Sequence, residues 1–428
     1  MRSPLAPPIS ILVPAYNEAA GIVESVRSLL ALEYPATEVV VVSDGSTDDT
    51  VARMVAAFDL RPARRPTPPF LPHAPVRGVH VPRGRLPLIL IDKDNGGKAD
   101  SLNAGINFSR YPLVCGIDAD SLLEQDALVK AAMPFVEDPQ RTVATGGVVR
   151  VANGCRIQGG RVVEARLPRS PLAMLQVVEY LRAFFAARTG WSAVNGLLIV
   201  SGAFGIFRKD TVIAAGGYRT DTVGEDMELV VRLHRALREA RRPYRIVYVP
   251  DPVCWTEAPE SLRILRRQRR RWHQGTLETL IGHRRMLLNP RYGAAGLLAM
   301  PSVLVFEVIG PLLELGGYVV SAIAFAGGAI GGEVFGLFLA LAFLYGLVLS
   351  FGAVALEDAS FGRHPAWDDL RRILAFAVLE NFGYRQLTHL WKLEGVWRLL
   401  RGGGWGTMER KGLARPVAEE LASEVGLR

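Results

Sequence analysis

Cysteine is nearly absent from this 428-residue sequence: only Cys115, Cys155 and Cys254 occur, far apart along the chain. No C-x-x-C or His/Cys zinc pattern exists, and an odd number argues against a disulfide framework. The thiols therefore fit a reducing compartment. Met1–Pro8 lacks a charged start followed by an apolar core, so no signal peptide is expected and the chain is expected to begin in the cytosol. There is no internal repeat and no Walker-type phosphate loop, because the glycine–lysine spacing is wrong for one. The net charge of +8 comes without a nucleic-acid recognition motif, so nucleic acid is not expected as a partner.

What the chain has in quantity is apolar sequence, 49% of its residues, gathered between Ala294 and Leu356. Val303–Ala326 is interrupted by Glu307, Pro311 and Glu314, whereas Val334–Leu356 carries no charge. Crossing a bilayer core takes about 20 helical residues, so both qualify as spans. Ala294–Ser302 is expected along the interface. Ile373–Thr388, broken by Glu380, Asn381, Arg385 and Gln386, is a third span or a re-entrant helix. Arginine clusters at Arg263–Arg271, Arg284/Arg285 and Lys392–Arg415 flank these stretches, as the cytoplasmic ends of membrane helices do. Two spans keep the basic tail inside; three would expel it. The expected organisation is a soluble domain over 1–260, amphipathic interface helices over 261–302, and spans (303–326, 334–356, 373–388) with a basic tail to 428. The lipid bilayer is thus an expected partner.

The amino-terminal part reads as an α/β fold. Ile9–Pro14 is a buried strand, and Glu18–Leu32 has a helical apolar period. Glu38–Val42 is a second strand, followed by a helix from about Asp48. The alternation predicts a mostly parallel sheet with right-handed crossovers. Leu60–Pro87, rich in Pro and Arg, reads as an extended loop. Pro87–Ile91 resumes the sheet, Ala99–Phe108 is a helix and Leu113–Asp118 a strand. Beyond these, Thr142–Val151, Val162–Val163, Leu197–Phe207 and Arg245–Val249 read as strands. Leu172–Ala187, Asp226–Glu239 and a long basic amphipathic Ser261–Leu288 read as helices.

Several acidic residues fall at strand tips, where such sheets bind ligands. Asp118-Ala119-Asp120 closes a buried strand, and a D-x-D turn suits a divalent cation such as Mg²⁺ held by carboxylates together with substrate phosphates; the alternative is a solvated turn. Asp44, in Ser43-Asp44-Gly45-Ser46, is placed to accept from a uracil imide, while Ser46 or Thr47 caps the next helix. Lys98 follows Asn95-Gly96-Gly97 at a turn into a helix, a phosphate-binding geometry. Asp226, after Glu225, opens a helix; it is a cap or the general base that removes an acceptor hydroxyl proton. Gln268, Arg271 and Trp272, spaced i, i+3, i+4, share one helical face. There Arg271 could take a leaving diphosphate and Trp272 a sugar ring. Arg266, Arg267, Arg269 and Arg270 read as a surface for lipid headgroups. Glu307 and Glu314, one face of a kinked helix, line a polar path or pair with arginine at the interface.

In this order the motifs resemble those of membrane-embedded family 2 glycosyltransferases, the group that includes poly-N-acetylglucosamine, hyaluronan, cellulose and chitin-oligosaccharide synthases. The matching elements are Val13–Glu18, Ser43–Ser46, Gly97–Asn103, Asp118–Asp120, Ser201–Phe204, Gly224–Asp226 and Gln268–Trp272, within Ile9–Gln274. The resemblance implies a GT-A fold, a UDP-sugar donor, Mg²⁺ or Mn²⁺ held through Asp120, and Asp118 near ribose or metal. It places Asp44 on uracil, Lys98 near the nucleotide, and Asp226 as the base of an inverting transfer. Gln268, Arg271 and Trp272 would hold diphosphate and acceptor, with Ser201 and Gly202 lining the acceptor site and Trp255 beside them. The usual T-E-D reads Gly224-Glu225-Asp226 here, and none of the amino-terminal helices usual in such synthases is expected. The implied activity is processive synthesis of a β-linked exopolysaccharide, with N-acetylglucosamine as the sugar, at a bacterial inner membrane. A second copy or an accessory subunit would complete a channel. Transfer of one sugar to a lipid acceptor is the alternative, and a non-catalytic nucleotide receptor a third.

Overall fold

A computed structural model describes residues 6–361 and 367–400; most of the expected basic tail lies outside them. The strands are β1 (Ile9–Ala15), β2 (Thr37–Asp44), β3 (Leu60–Pro62), β4 (Val76–Pro82), β5 (Leu88–Lys93), β6 (Leu113–Ile117), β7 (Leu122–Leu123), β8 (Thr142–Val151), β9 (Arg156–Gln158), β10 (Arg161–Glu164), β11 (Phe204–Arg208) and β12 (Arg245–Thr256). Ten of them form one sheet in the order β3-β4-β5-β2-β1-β6-β11-β8-β12-β7, and β9 and β10 form a separate hairpin.

The helices are α1 (Ile22–Leu30), α2 (Thr50–Phe58), α3 (Lys98–Phe108), α4 (Ala127–Glu137), α5 (171–193, with a π-helical segment at Leu181–Ala186), α6 (Lys209–Ala214), α7 (Glu225–Glu239), α8 (Leu262–Gly282), α9 (Ala295–Ala326), α10 (Gly332–Phe361), α11 (Trp367–Leu379) and α12 (Arg385–Leu400).

Alternation along the strands builds a core on each face of the sheet. Ile9, Ile11 and Val13 of β1 pack with Ile22, Val26 and Leu29 of α1. Leu12, with Val40 and Val42 of β2, faces Leu102 and Ile106 of α3 on the other side. The α/β reading holds, but the sheet is mixed: β5-β2-β1-β6 and β8-β12 are parallel, and the remaining neighbours antiparallel. The cause is β11, which enters between β6 and β8 against both.

Two local expectations change. Within Leu60–Pro87, β3 and β4 form the sheet's edge, where valines alternate with Arg77, Gly78 and His80. Residues 197–203 are not strand; Leu197, Leu198 and Val200 are buried under coil, and β11 starts at Phe204. Residues 295–302 are continuous with the first apolar helix, Ala295–Ala326.

α9 and α10 are long and apolar enough to cross a membrane, judged by length and composition. Their outer faces expose Val320, Ile323, Leu337, Leu341 and Val348. Residues 373–388 are not a straight span. The chain kinks at Phe382 and Gly383 between α11 and α12, and α12 then lies against both α8 and α9.

Candidate active site

A cavity of about 1400 Å³ opens at the carboxyl ends of the strands and continues between α5, α8 and the apolar helices. Its head end is lined by Lys98, Asp118, Asp120, Ser201, Gly202 and Asp226, and the α8 face adds Gln268, Arg271 and Trp272. Residues from five separate segments, nominated by sequence, thus meet at one wall. Asp44 is not among the lining residues, and Trp255 is a core residue, 8% exposed, next to the lining residue Thr256.

Asp44 is occupied by its own fold. It lies at the tip of β2, 4% exposed, and accepts from the amides of Gly96 (2.9 Å) and Gly97 (2.8 Å) and from Lys93 Nζ. Lys93 is fully buried and also reaches Asp100 Oδ1 at 2.6 Å. This Asp44–Lys93–Asp100 cluster fixes the turn before α3. Gly97 sits there at φ +91°, a conformation side chains disfavour. Sequence reading missed Lys93; its signal was a lysine closing the strand that opens with the apolar run Leu88–Ile91.

The turn sets Lys98 as the first residue of α3, aimed into the cavity. Its Nζ pairs with Asp118, donates to the Gly202 carbonyl (3.2 Å) and stands 3.8 Å from Glu225 Oε1. Burial opposes its charge, but Asp118, Glu225 and Asp226 outweigh that and hold its pKa above the usual lysine value. Glu225 shifts upward by burial, with Lys98 pulling it down and Asp226 adding to the rise.

Asp226 Oδ2 accepts from the Gly202 amide (3.0 Å) and Oδ1 from the Met227 amide (2.8 Å). Gly202 therefore holds Lys98 with its carbonyl and Asp226 with its N–H. A Cβ there would meet Lys98 Nζ at 3.0 Å and Asp226 Oδ2 at 3.4 Å.

The helix carrying Gln268, Arg271 and Trp272 is locked onto the Asp226 turn by contacts that sequence reading did not foresee. Gly275 of α8 meets Gly224 backbone to backbone; a Cβ on either would lie 2.7–2.8 Å from the other's atoms. Glu278, one turn on, accepts from Thr222 Oγ1 (2.8 Å) and the Val223 amide (3.0 Å).

Trp272, 36% exposed, has ring neighbours Tyr180 (6.5 Å) and Phe184 (5.9 Å), with the Arg269 guanidinium 4.4 Å from its ring centre. Arg269 is no lipid-facing residue: it is 4% exposed and bonded to Glu179 Oε2 (2.7 Å), which also accepts from Tyr384. Arg266 and Arg270 pair with Glu394 of α12. Glu307 and Glu314 line the cavity and are paired, with Lys392 (2.5 Å) and Arg385 (2.6 Å).

Known proteins resemble this chain over its head. The model for "Glycosyltransferase like family 2" matches residues 77–275, and that for "Glycosyl transferase family 2" matches 10–67. Poly-beta-1,6-N-acetyl-D-glucosamine synthase of Staphylococcus aureus (strain COL) is 29% identical over 274 residues, 64% of this chain. The Staphylococcus epidermidis protein of the same name is 28% identical over the same length. The chain spans about half of these relatives, 55% of their length. Among solved structures, the mannosyltransferase PcManGT from Pyrobaculum calidifontis, in complex with GDP-Man and Mn²⁺, covers 93% of this chain and 88% of its own. Its TM-score is 0.57 at 19% identity, which speaks for the shared fold. The chain carries a family 2 glycosyltransferase domain built on a GT-A fold.

Proposed function

We propose that the chain is an inverting, metal-dependent hexosyltransferase that moves a sugar from a UDP-sugar, UDP-N-acetylglucosamine first, onto the end of a β-linked exopolysaccharide. The observation that carries this is the single cavity joining Lys98, the Asp118/Asp120 pair, Asp226 and the Gln268/Arg271/Trp272 face. Asp226 would take the proton of the acceptor hydroxyl as its oxygen attacks the anomeric carbon from the side opposite the leaving UDP. Arg271 and Lys98 would receive the charge appearing on the diphosphate. Trp272, with Tyr180 and Phe184, would present ring faces to the acceptor sugar. Ser201 and Gly202 shape the wall between donor and acceptor. Asp44 would meet the uracil imide with the acceptor capacity left by the Gly96–Gly97 turn.

Asp118 and Asp120 fit a Mg²⁺ or Mn²⁺ site of one kind. The described residues hold no cluster of three or more metal-ligating side chains. A pair of carboxylates suits an ion that completes its shell with substrate phosphate and water. Such an ion would neutralise the diphosphate as it leaves.

The location in this reading is a bacterial inner membrane, multi-pass through α9 and α10, with the head in the cytosol and a second copy or accessory subunit alongside. A lipid acceptor receiving one sugar is the second reading, favoured by the cavity's continuation between apolar helices. The full chain in lipid nanodiscs with Mg²⁺ tests both, by UDP release across a panel of UDP-sugars and by sizing of the labelled product. A high-mass product without added lipid supports the polymerase. A single-sugar product that requires lipid supports the second reading, and undiminished turnover in EDTA overturns the metal assignment.

A further inference from the structure

Cations along this cavity are matched almost throughout. Lys98 stands beside Asp118, Arg182 beside Glu380, Arg269 beside Glu179, Arg385 beside Glu314 and Lys392 beside Glu307. Arg271 lies in the field of Glu225. Arg188, in the last part of α5, makes no such direct ion pair; of the carboxylates, only the field of Asp226 reaches it. It lines the cavity at 6% exposure and packs 4.3 Å over the Phe184 ring. Among the described residues, no carboxylate and no hydrogen-bond acceptor partners it. The Tyr248 hydroxyl, within its electrostatic reach, is buried and likewise without a partner.

Two buried guanidinium groups on neighbouring elements show the consequence. Burial works against both. Glu179 reverses it for Arg269, whose pKa rises, whereas Arg188 stays below its usual value despite the charge of Asp226. A desolvated cation without a directly paired countercharge is costly, and a ring face returns only part of that cost. A ligand anion would supply the rest, and a guanidinium binds phosphate with two parallel hydrogen bonds. Phe184 packs on Arg188, Trp191 lines the same cavity, and Phe306, Phe338 and Leu349 of α9 and α10 line its apolar part.

We propose that Arg188 marks an acceptor subsite for the phosphate of a lipid, whose hydrocarbon tail lies along the apolar part of the cavity between α9 and α10. The proposal rests on the second, lipid-acceptor reading of the transferase and specifies that acceptor as anionic. The donor's diphosphate is the other phosphate source, and the experiment separates the two.

Full-length protein in nanodiscs is compared with Arg188→Gln and Arg188→Lys. Binding of a polyisoprenyl phosphate, of the matching uncharged polyisoprenol and of UDP is measured for each, together with sugar transfer to the two lipids and to a neutral β-linked oligosaccharide. Losing a charge-assisted contact predicts lipid-phosphate binding and transfer weakened about tenfold to a hundredfold in Arg188→Gln. Partial recovery is expected in Arg188→Lys, with UDP affinity unchanged, which also shows that the head is folded. Equal use of phosphate and alcohol by the wild type, or neutral-oligosaccharide transfer with undiminished phosphate-lipid binding in Arg188→Gln, overturns the subsite. Weakened UDP binding in Arg188→Gln overturns it as well, assigning the guanidinium to the donor. Absence of UDP release with every donor would sink the transferase reading instead, while the binding comparison still decides whether Arg188 holds a lipid phosphate.

Discussion

The two ends of the cavity treat charge differently. At the head end Asp118, Asp120, Glu225 and Asp226 crowd around Lys98 and Arg271, so carboxylates exceed cations. At the end between the apolar helices, each acid has its own base: Glu307 with Lys392, Glu314 with Arg385, Glu380 with Arg182. An unbalanced cluster is stable only where water or a charged substrate reaches it. A charge beside hydrocarbon must be cancelled on the spot. The head end is therefore arranged for ions that arrive with the substrate, and the other end for ordering its own helices.

The sharpest way to break this contrast is Asp226→Asn. The amide oxygen can still accept from Gly202 or Met227, so the turn should stand while the base is gone. Transfer should fall by a factor of about 10² to 10⁴, with UDP affinity retained. Measuring both on one preparation is decisive: near-normal transfer would remove Asp226 from the chemistry and leave it a helix cap.

A second substitution probes the paired side where it begins, at the junction of α5, α8 and the kink before α12. Arg269→Gln leaves Glu179 next to Tyr384 without its cation. Breaking a buried pair by removing one partner costs about 3–5 kcal/mol. The expected result is a large drop in thermal stability of the helical part, read as a lowered unfolding midpoint in nanodiscs. An unchanged midpoint would mean that the pair is solvated and the helices are held by apolar packing alone.

These two ends were not equally legible in the sequence. The head motifs are local: a D-x-D ending an apolar strand, a Gly-Gly-Lys turn, a helical i, i+3, i+4 face. Each can be read within a few residues, and the fold brings them together. The pairs at the other end join residues far apart, Arg182 with Glu380 and Glu314 with Arg385, and no local period encodes them. Arg269 was misread for the same reason. A basic helix face announces its charge, not which side meets protein, and Glu179 is 90 residues away. Likewise 197–203 is apolar because it is buried, and burial alone does not distinguish coil from strand.

The junction between the ends offers the smallest and most specific test. Glu278 spans from α8 to the loop that precedes Asp226, accepting from Thr222 Oγ1 and the Val223 amide with one oxygen. Gly224 and Gly275 make the same contact sterically. Glu278→Ala leaves the Val223 amide without that acceptor and frees the loop while touching no substrate group. A shift in the base of well under 1 Å is enough to slow a reaction that depends on alignment, so kcat should fall about tenfold, with UDP affinity unchanged. Glu278→Gln keeps an oxygen acceptor for both donors and should recover most of the rate. If Gln were as slow as Ala, the carboxylate charge rather than the tether would matter. Glu278 would then belong with the charged head end, not with the hinge that joins it to the helices.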